Sequence, residues 1–185
     1  MKRLLGISIM IFALGGISLA QSQLENPGFE EWEDLFVNNG DTTREPVEWS
    51  SLKTSDVEQM SNFAPVVCKR SQDAHSGNYS IELTNINSLI VANGAATNGR
   101  IHPDLDLDMA YMYTDPEDGR WNTPFTEKPD SVAGWFMYAP QGDDALQIKV
   151  ILHKGIGKQP DADSLATWIG SAEFSSNLNT GSQWH

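Results

Sequence analysis

The sequence predicts an all-β fold, an antiparallel β-sandwich. Three observations carry it: short segments with period-two alternation, turn residues between them, and few stretches of the 3.6-residue period of an amphipathic helix. Tyr79, Ile81 and Leu83 alternate with Ser80, Glu82 and Thr84, which reads as a strand with one buried face. Leu146, Ile148, Val150 and Leu152 alternate with polar residues at 147, 149 and 153, the clearest strand of the chain. Residues 132–138 are apolar on both faces, as a central sandwich strand is. A further strand is expected over 166–174, with shorter ones at 28–32, 47–52, 65–69, 88–91 and 100–102. The expected core is Ile81, Leu83, Trp135, Phe136, Ile148, Val150 and Leu152.

Turn chemistry separates these elements. Asn93-Gly94 and Asn98-Gly99 pair residues that tolerate positive φ. Ser76-Gly77 joins the strand around Cys68 to the one that starts at Tyr79, and residues 141–144 form a polar tip before Leu146. Many short strands joined this way favour an antiparallel sandwich over a parallel α/β sheet.

Residues 1–20 read as a cleavable secretion signal. Lys2 and Arg3 precede an apolar run from Leu4 to Leu19, and Ser18 and Ala20 supply the small residues of a cleavage site. The run is shorter than the ~20 apolar residues a spanning helix needs and is interrupted by three glycines. The mature chain is then 21–185, one domain beginning at Gln21, exported to the periplasm, the outer cell surface or the medium.

The whole chain has a net charge of −13; loss of Lys2 and Arg3 takes it to −15. Such a balance repels phosphate backbones and anionic membranes, so nucleic acid is not an expected partner. With Cys68 the only cysteine, no intramolecular disulfide can form, and a lone Cys beside Val66 and Val67 reads as a small core residue. Residues 103–129 lack clean periodicity and mix prolines, acids and aromatics. They read as a long excursion over one end or face of the sandwich, the kind of segment that is often functional. At the other end, Ser182 to His185 reads as the opening of a further strand.

Two motifs resemble carbohydrate-binding jelly-rolls in general. They are Asn26-Pro27-Gly28-Phe29-Glu30 with Trp32, and His75-Ser76-Gly77-Asn78-Tyr79-Ser80-Ile81. A more selective stretch runs from Pro124-Phe125 through Lys128-Pro129-Asp130-Ser131-Val132-Ala133-Gly134-Trp135-Phe136-Met137-Tyr138-Ala139-Pro140. It resembles the core of a carbohydrate metabolism domain family of gut Bacteroidetes. That resemblance implies a galactose-binding-domain-like jelly-roll and a glycan context. It also implies a structural Ca²⁺ near the first strand, for which Glu30, Asp73 and carbonyls around Ser76 and Gly77 are the matching groups.

Aromatic faces stack on the C–H surfaces of pyranose rings while carboxylates, guanidinium groups and amides meet the hydroxyls. By that chemistry the candidate sugar site is Trp121 with Asp118, Arg120, Asn122, Tyr111 and Tyr113, all in the excursion; the competing reading of Trp121 is a plug that pins the loop. Asp104, Asp106 and Asp108, spaced by two, suggest either a solvated acidic face or a hard-oxygen metal cluster; Met109 in the Gly position excludes an EF-hand. No G-x-S-x-G, H-E-x-x-H or complete dinucleotide loop is present. The expected function is an exported carbohydrate-binding module taking a polysaccharide or oligosaccharide, with other cell-surface glycan-utilisation proteins as possible partners. Two alternatives stay open: a glycoside hydrolase-like enzyme using a carboxylate pair from the excursion, and a structural or adhesive surface protein.

Overall fold

The computed structural model describes residues 24–36, 42–87, 91–126, 129–160 and 167–185. The secretion signal expected at 1–20 lies outside them. The protein is β-rich, 33% strand and 11% helical. In chain order the elements are β1 (Trp32–Phe36), β2 (Thr42–Pro46), helix α1 (Glu58–Phe63), β3 (Cys68–Ser71), β4 (Ser80–Leu83), β5 (Ile86–Asn87), β6 (Val91–Ala92), β7 (Arg100–His102), β8 (Tyr111–Tyr113), β9 (Leu146–His153), β10 (Lys158–Gln159) and β11 (Trp168–Ser176). Every ladder among the described residues is antiparallel. They form the ribbons β1–β2, β3–β4, β5–β6 and β9–β11, and a three-stranded sheet in the order β10–β8–β7.

The strands with the strongest alternation form as expected. β4, β7 and β9 occupy the predicted positions, and β11 covers the described part of the 166–174 segment. Where alternation was weak the structure differs. Residues 47–52 turn and enter a 3₁₀ helix at Leu52–Thr54 capped by Ser51, whose side chain accepts from the Lys53 amide while Thr54 reaches back to the Ser51 amide. β1 starts where the 28–32 strand was expected to end, because residues 26–31 wrap into a loop. The 88–91 expectation falls mostly outside the described residues, leaving Val91 in β6.

The excursion is not a loop over the fold. β8 lies inside it and is the central strand of the three-stranded sheet. Sequence alternation cannot reveal a three-residue strand whose side chains are all half-buried. Gly99 makes this sheet possible: a Cβ there would collide with the carbonyl of Tyr113. The Asn98-Gly99 pair thus serves close backbone approach rather than the positive-φ turn its composition suggested.

The apolar segment 132–138, expected as a central strand, lies in no ladder. Phe136 exchanges two backbone hydrogen bonds of 3.0 Å with His185, and Tyr138 is tied to Thr180. Successive side chains of an extended segment point to opposite sides. Phe136 packs on Phe174 of β11, and Trp135 faces outward at 59% exposure. Trp135 is therefore not core, and Leu83 (41% exposed) and Ile148 (43% exposed) are not either. Ile81, Phe136, Val150 and Leu152 are half-buried rather than sealed. The reason is architectural: among the described residues β9 and β11 pair only with each other, and a two-stranded ribbon has little sheet of its own to bury its side chains.

The buried apolar residues lie elsewhere: Val67, Cys68, Ala92, Ile101 and Trp121. Beside them sits a buried carboxylate. Glu45 is wholly inaccessible at the end of β2; the Ser51 hydroxyl donates to its Oε1, and its Oε2 has no hydrogen-bond partner. Burial pushes its carboxyl up to about 7, against the opposing pull of Ser51 and Lys53. Burial, with the Glu45 charge nearby, also pushes the Cys68 thiol up, so Cys68 packs as a neutral group.

A carboxyl raised in the fold stabilises it fully below the unfolded value of 4.5, and that stability is lost as pH rises through about 7. Wild-type protein should therefore lose on the order of 3 kcal/mol relative to Glu45→Gln over that window. Urea denaturation of both proteins at stepped pH checks this; parallel profiles would refute it.

Candidate functional site

The motif at 26–31 folds on the Asn26 side chain. Its amide donates to the carbonyls of Glu31 (2.9 Å) and Val47 (3.1 Å) and its oxygen accepts from the Glu31 N–H (3.1 Å). Asn26 and Phe29 both take positive φ to complete the loop. The result aims Glu30 at the β3–β4 loop, where its carboxylate accepts from the amides of Asn78 (3.0 and 3.1 Å) and Tyr79 (3.2 Å) and from the Asn78 side chain (3.3 Å). These amides, the Asn78 one first, hold the Glu30 carboxyl below its ordinary value. Gly77, at φ 76°, leaves room; a Cβ there would strike the Glu30 carboxylate.

This geometry bears on the calcium expectation. Glu30 already faces N–H donors, which a cation would have to replace, and the Asp73 contact in the loop is its carbonyl accepting from the Ser80 hydroxyl (2.6 Å). Among the described residues no three His, Cys, Asp or Glu side chains converge as a metal site. The carboxylate itself ties the loop.

Above the same loop the aromatics assemble. His75 stacks on Trp135 with ring centroids 3.9 Å apart and planes 10° from parallel, and Trp184 meets His75 edge-on at 6.3 Å. His75 covers one part of the Trp135 indole, and the rest is open to solvent.

The predicted sugar platform is built differently. Asp118 caps the short 3₁₀ helix Gly119–Trp121 by accepting from the Arg120 amide (3.0 Å), and Asn122 closes it. Arg120 lies over the Trp121 ring at 4.4 Å and pairs with Glu33 of β1. Trp121 is 4% exposed. No ring face is presented to a sugar, so the plug role is the one the packing supports; the polar neighbours are spent on capping and on an ion pair, which leaves the indole as the group to bury.

Tyr111 and Tyr113 belong to a separate cluster on β8. The Tyr113 hydroxyl donates to Asp56 (3.1 Å), whose oxygens also hold Nδ1 of His102 at 2.9 and 3.0 Å. The His102 ring stacks on Tyr111 at 4.5 Å, and Lys158 sits 3.8 Å from the Tyr111 centroid. Burial first, and the Asp56 charge second, push the Tyr113 hydroxyl up to about 12, keeping it a donor. Among the described residues no ring contact links Trp121 to either tyrosine, so the six predicted residues form two groups. Sequence alone does not single out His102, because its Asp56 partner is 46 residues away and no spacing rule joins them.

Four of the excursion's acids are likewise occupied. Asp104 accepts from the Asp106 amide (2.9 Å), Asp106 from Asp108 (3.2 Å), Asp115 from Glu117 (3.1 Å) and Asp118 from Arg120. The spacing of two that suggested a metal cluster is the spacing of consecutive Asx turns. Asp115 is also paired with Arg100 at 3.3 Å.

Compared with protein-family models, curated proteins and solved structures, the chain matches none, and the family resemblance rests on its quoted motifs.

Truncation separates anchors from surface groups. Trp121→Ala should cost about 3–5 kcal/mol, as for other buried Trp. Asp56→Ala, which strands His102 and Tyr113, should cost about 1–3 kcal/mol. Urea unfolding of each variant gives the comparison, and an unchanged midpoint for Trp121→Ala would return that ring to the surface.

Proposed function

We propose that this chain is an exported carbohydrate-binding module of jelly-roll type, galactose-binding-domain-like, belonging with the carbohydrate metabolism domains of gut Bacteroidetes. It takes a polysaccharide or oligosaccharide, in the periplasm, at the outer cell surface or in the medium, alongside other glycan-utilisation proteins. One observation carries the reading: Trp135 is 59% exposed and held parallel to His75 at 3.9 Å. An indole fixed by a stacked neighbour has little rotamer freedom left to lose when a sugar docks on its open surface. The platform takes His75 from one of the jelly-roll motifs and Trp135 from the 124–140 stretch, and Trp121 passes to a supporting role.

Calcium at Glu30 and Asp73 is the separable part of this proposal. It requires Glu30 to exchange two amides for an ion. A fall in melting temperature on chelation supports the ion; an unchanged curve leaves the carboxylate–amide contact as the sole tie.

For binding, a glycan array probed with residues 21–185 identifies the ligand class. Trp135→Ala should then weaken binding at least roughly tenfold, or ~1.4 kcal/mol, with little change in melting temperature because the ring is exposed. Absence of any saturable glycan binding overturns the proposal.

A further inference from the structure

We infer that the groove between β2 and β3 binds the anionic groups, sulfate or uronate, of an acidic polysaccharide. The inference rests on the carbohydrate reading and names its substrate class. β2 pairs only with β1 and β3 only with β4, yet the two strands lie side by side, and the space between them is an open groove of about 420 Å³. Thr42, Thr43 and Arg44 of β2 and Cys68, Lys69 and Arg70 of β3 line it. Three of the chain's 12 Lys and Arg residues meet here, and none of its 25 acids is in the lining. On a protein of net charge −13 that lining is locally cationic, with Asp34 on Arg44 and Glu82 across from Lys69 just outside it.

The cations are placed in different ways. Arg44 is fixed by Asp34 across the ribbon at 2.7 Å, and Arg70 is spread over the Tyr79 ring at 4.2 Å. Lys69 stands opposite Glu82 in the ladder but forms no ion pair within the described residues, and the Thr42 and Thr43 hydroxyls likewise make no hydrogen bond there. Among the described residues one ammonium and two hydroxyls thus make no ion pair or hydrogen bond, and with two oriented guanidinium groups they line the groove with donors of the kind that suits a sulfate or carboxylate. The sugar part of the ligand comes from position. The groove and the Trp135–His75 stack are both built on the β3–β4 hairpin, β3 lining the one and the connecting loop supplying His75 to the other.

The test titrates residues 21–185 with dextran sulfate, polygalacturonate, neutral dextran and duplex DNA. The acidic polysaccharides should bind at least roughly tenfold tighter than dextran and lose about tenfold when salt rises from about 50 to about 200 mM. Lys69→Gln/Arg70→Gln should remove that preference, whereas Lys149→Gln on β9 should keep it. Circular dichroism checks folding; if the double variant unfolds, Lys69→Gln alone still has to weaken binding to the acidic polymers, since that side chain is exposed. Wild-type affinity in a folded groove variant overturns the inference, as does DNA binding without polysaccharide binding, or a response to inorganic sulfate with none to either polymer. Binding of neutral glycans that depends on Trp135 but shows no acidic preference sinks the groove and spares the module; no binding to any glycan sinks both.

Discussion

Much of the surface chemistry depends on one contact, the Glu30 carboxylate on the amides of Asn78 and Tyr79. It joins residues 48 positions apart, and it sets where the β3–β4 loop can lie. The contact is solvent-exposed, so its importance is geometric more than energetic. Its requirements explain two sequence features together. Asn26 must wrap the preceding loop to aim Glu30, and position 77 must be glycine because both its φ and its space exclude a side chain. With the loop so placed, His75 can lie flat on Trp135, while Arg70 meets Tyr79 at the hairpin's other flank.

Polar ties of this kind recur because the apolar core is small. Lys53 reaches the carbonyls of Ser61 and Asn62 at the end of α1, where a cation is favourable. Asp56 gathers His102 and Tyr113, and Arg120 joins the excursion to β1. Glu45 is the costly member of the set, because its second oxygen has no partner and the fold is best served by its neutral form. Such a structure holds its ribbons in place by specific donors and acceptors, whereas the long β9–β11 ribbon depends on its own ladder and on Phe136.

The β-rich, antiparallel character was legible because strong alternation reads as a strand with one buried face. β4 and β9 were visible for that reason, and Cys68 was readable as buried from its apolar neighbours. β2 and β8 were not. Thr42–Pro46 carries no apolar period, and its burial falls on Glu45 and Pro46, residues that composition assigns to the surface. β8 is short and earns its central place from two partners distant in sequence, which no local pattern can encode. The Asp56–His102 pair and the β2–β3 groove are hidden for the same reason.

The exchange of roles between Trp121 and Trp135 shows what local composition measures. Both were judged by their neighbours: a polar setting suggested an exposed ring, an apolar run a buried one. Polar neighbours, however, need partners of their own. Asp118 found the Arg120 amide and Arg120 found Glu33, and satisfying them turned the helix so that the indole went inward under the guanidinium. An apolar run has no such demands and obeys only the alternation of an extended chain. With Phe136 drawn to Phe174, Trp135 had to take the opposite side. Average hydropathy describes a window of residues. Exposure of a given ring depends on which neighbour has already claimed the interior, and here that choice sets an indole against the loop of the hairpin that carries Lys69 and Arg70.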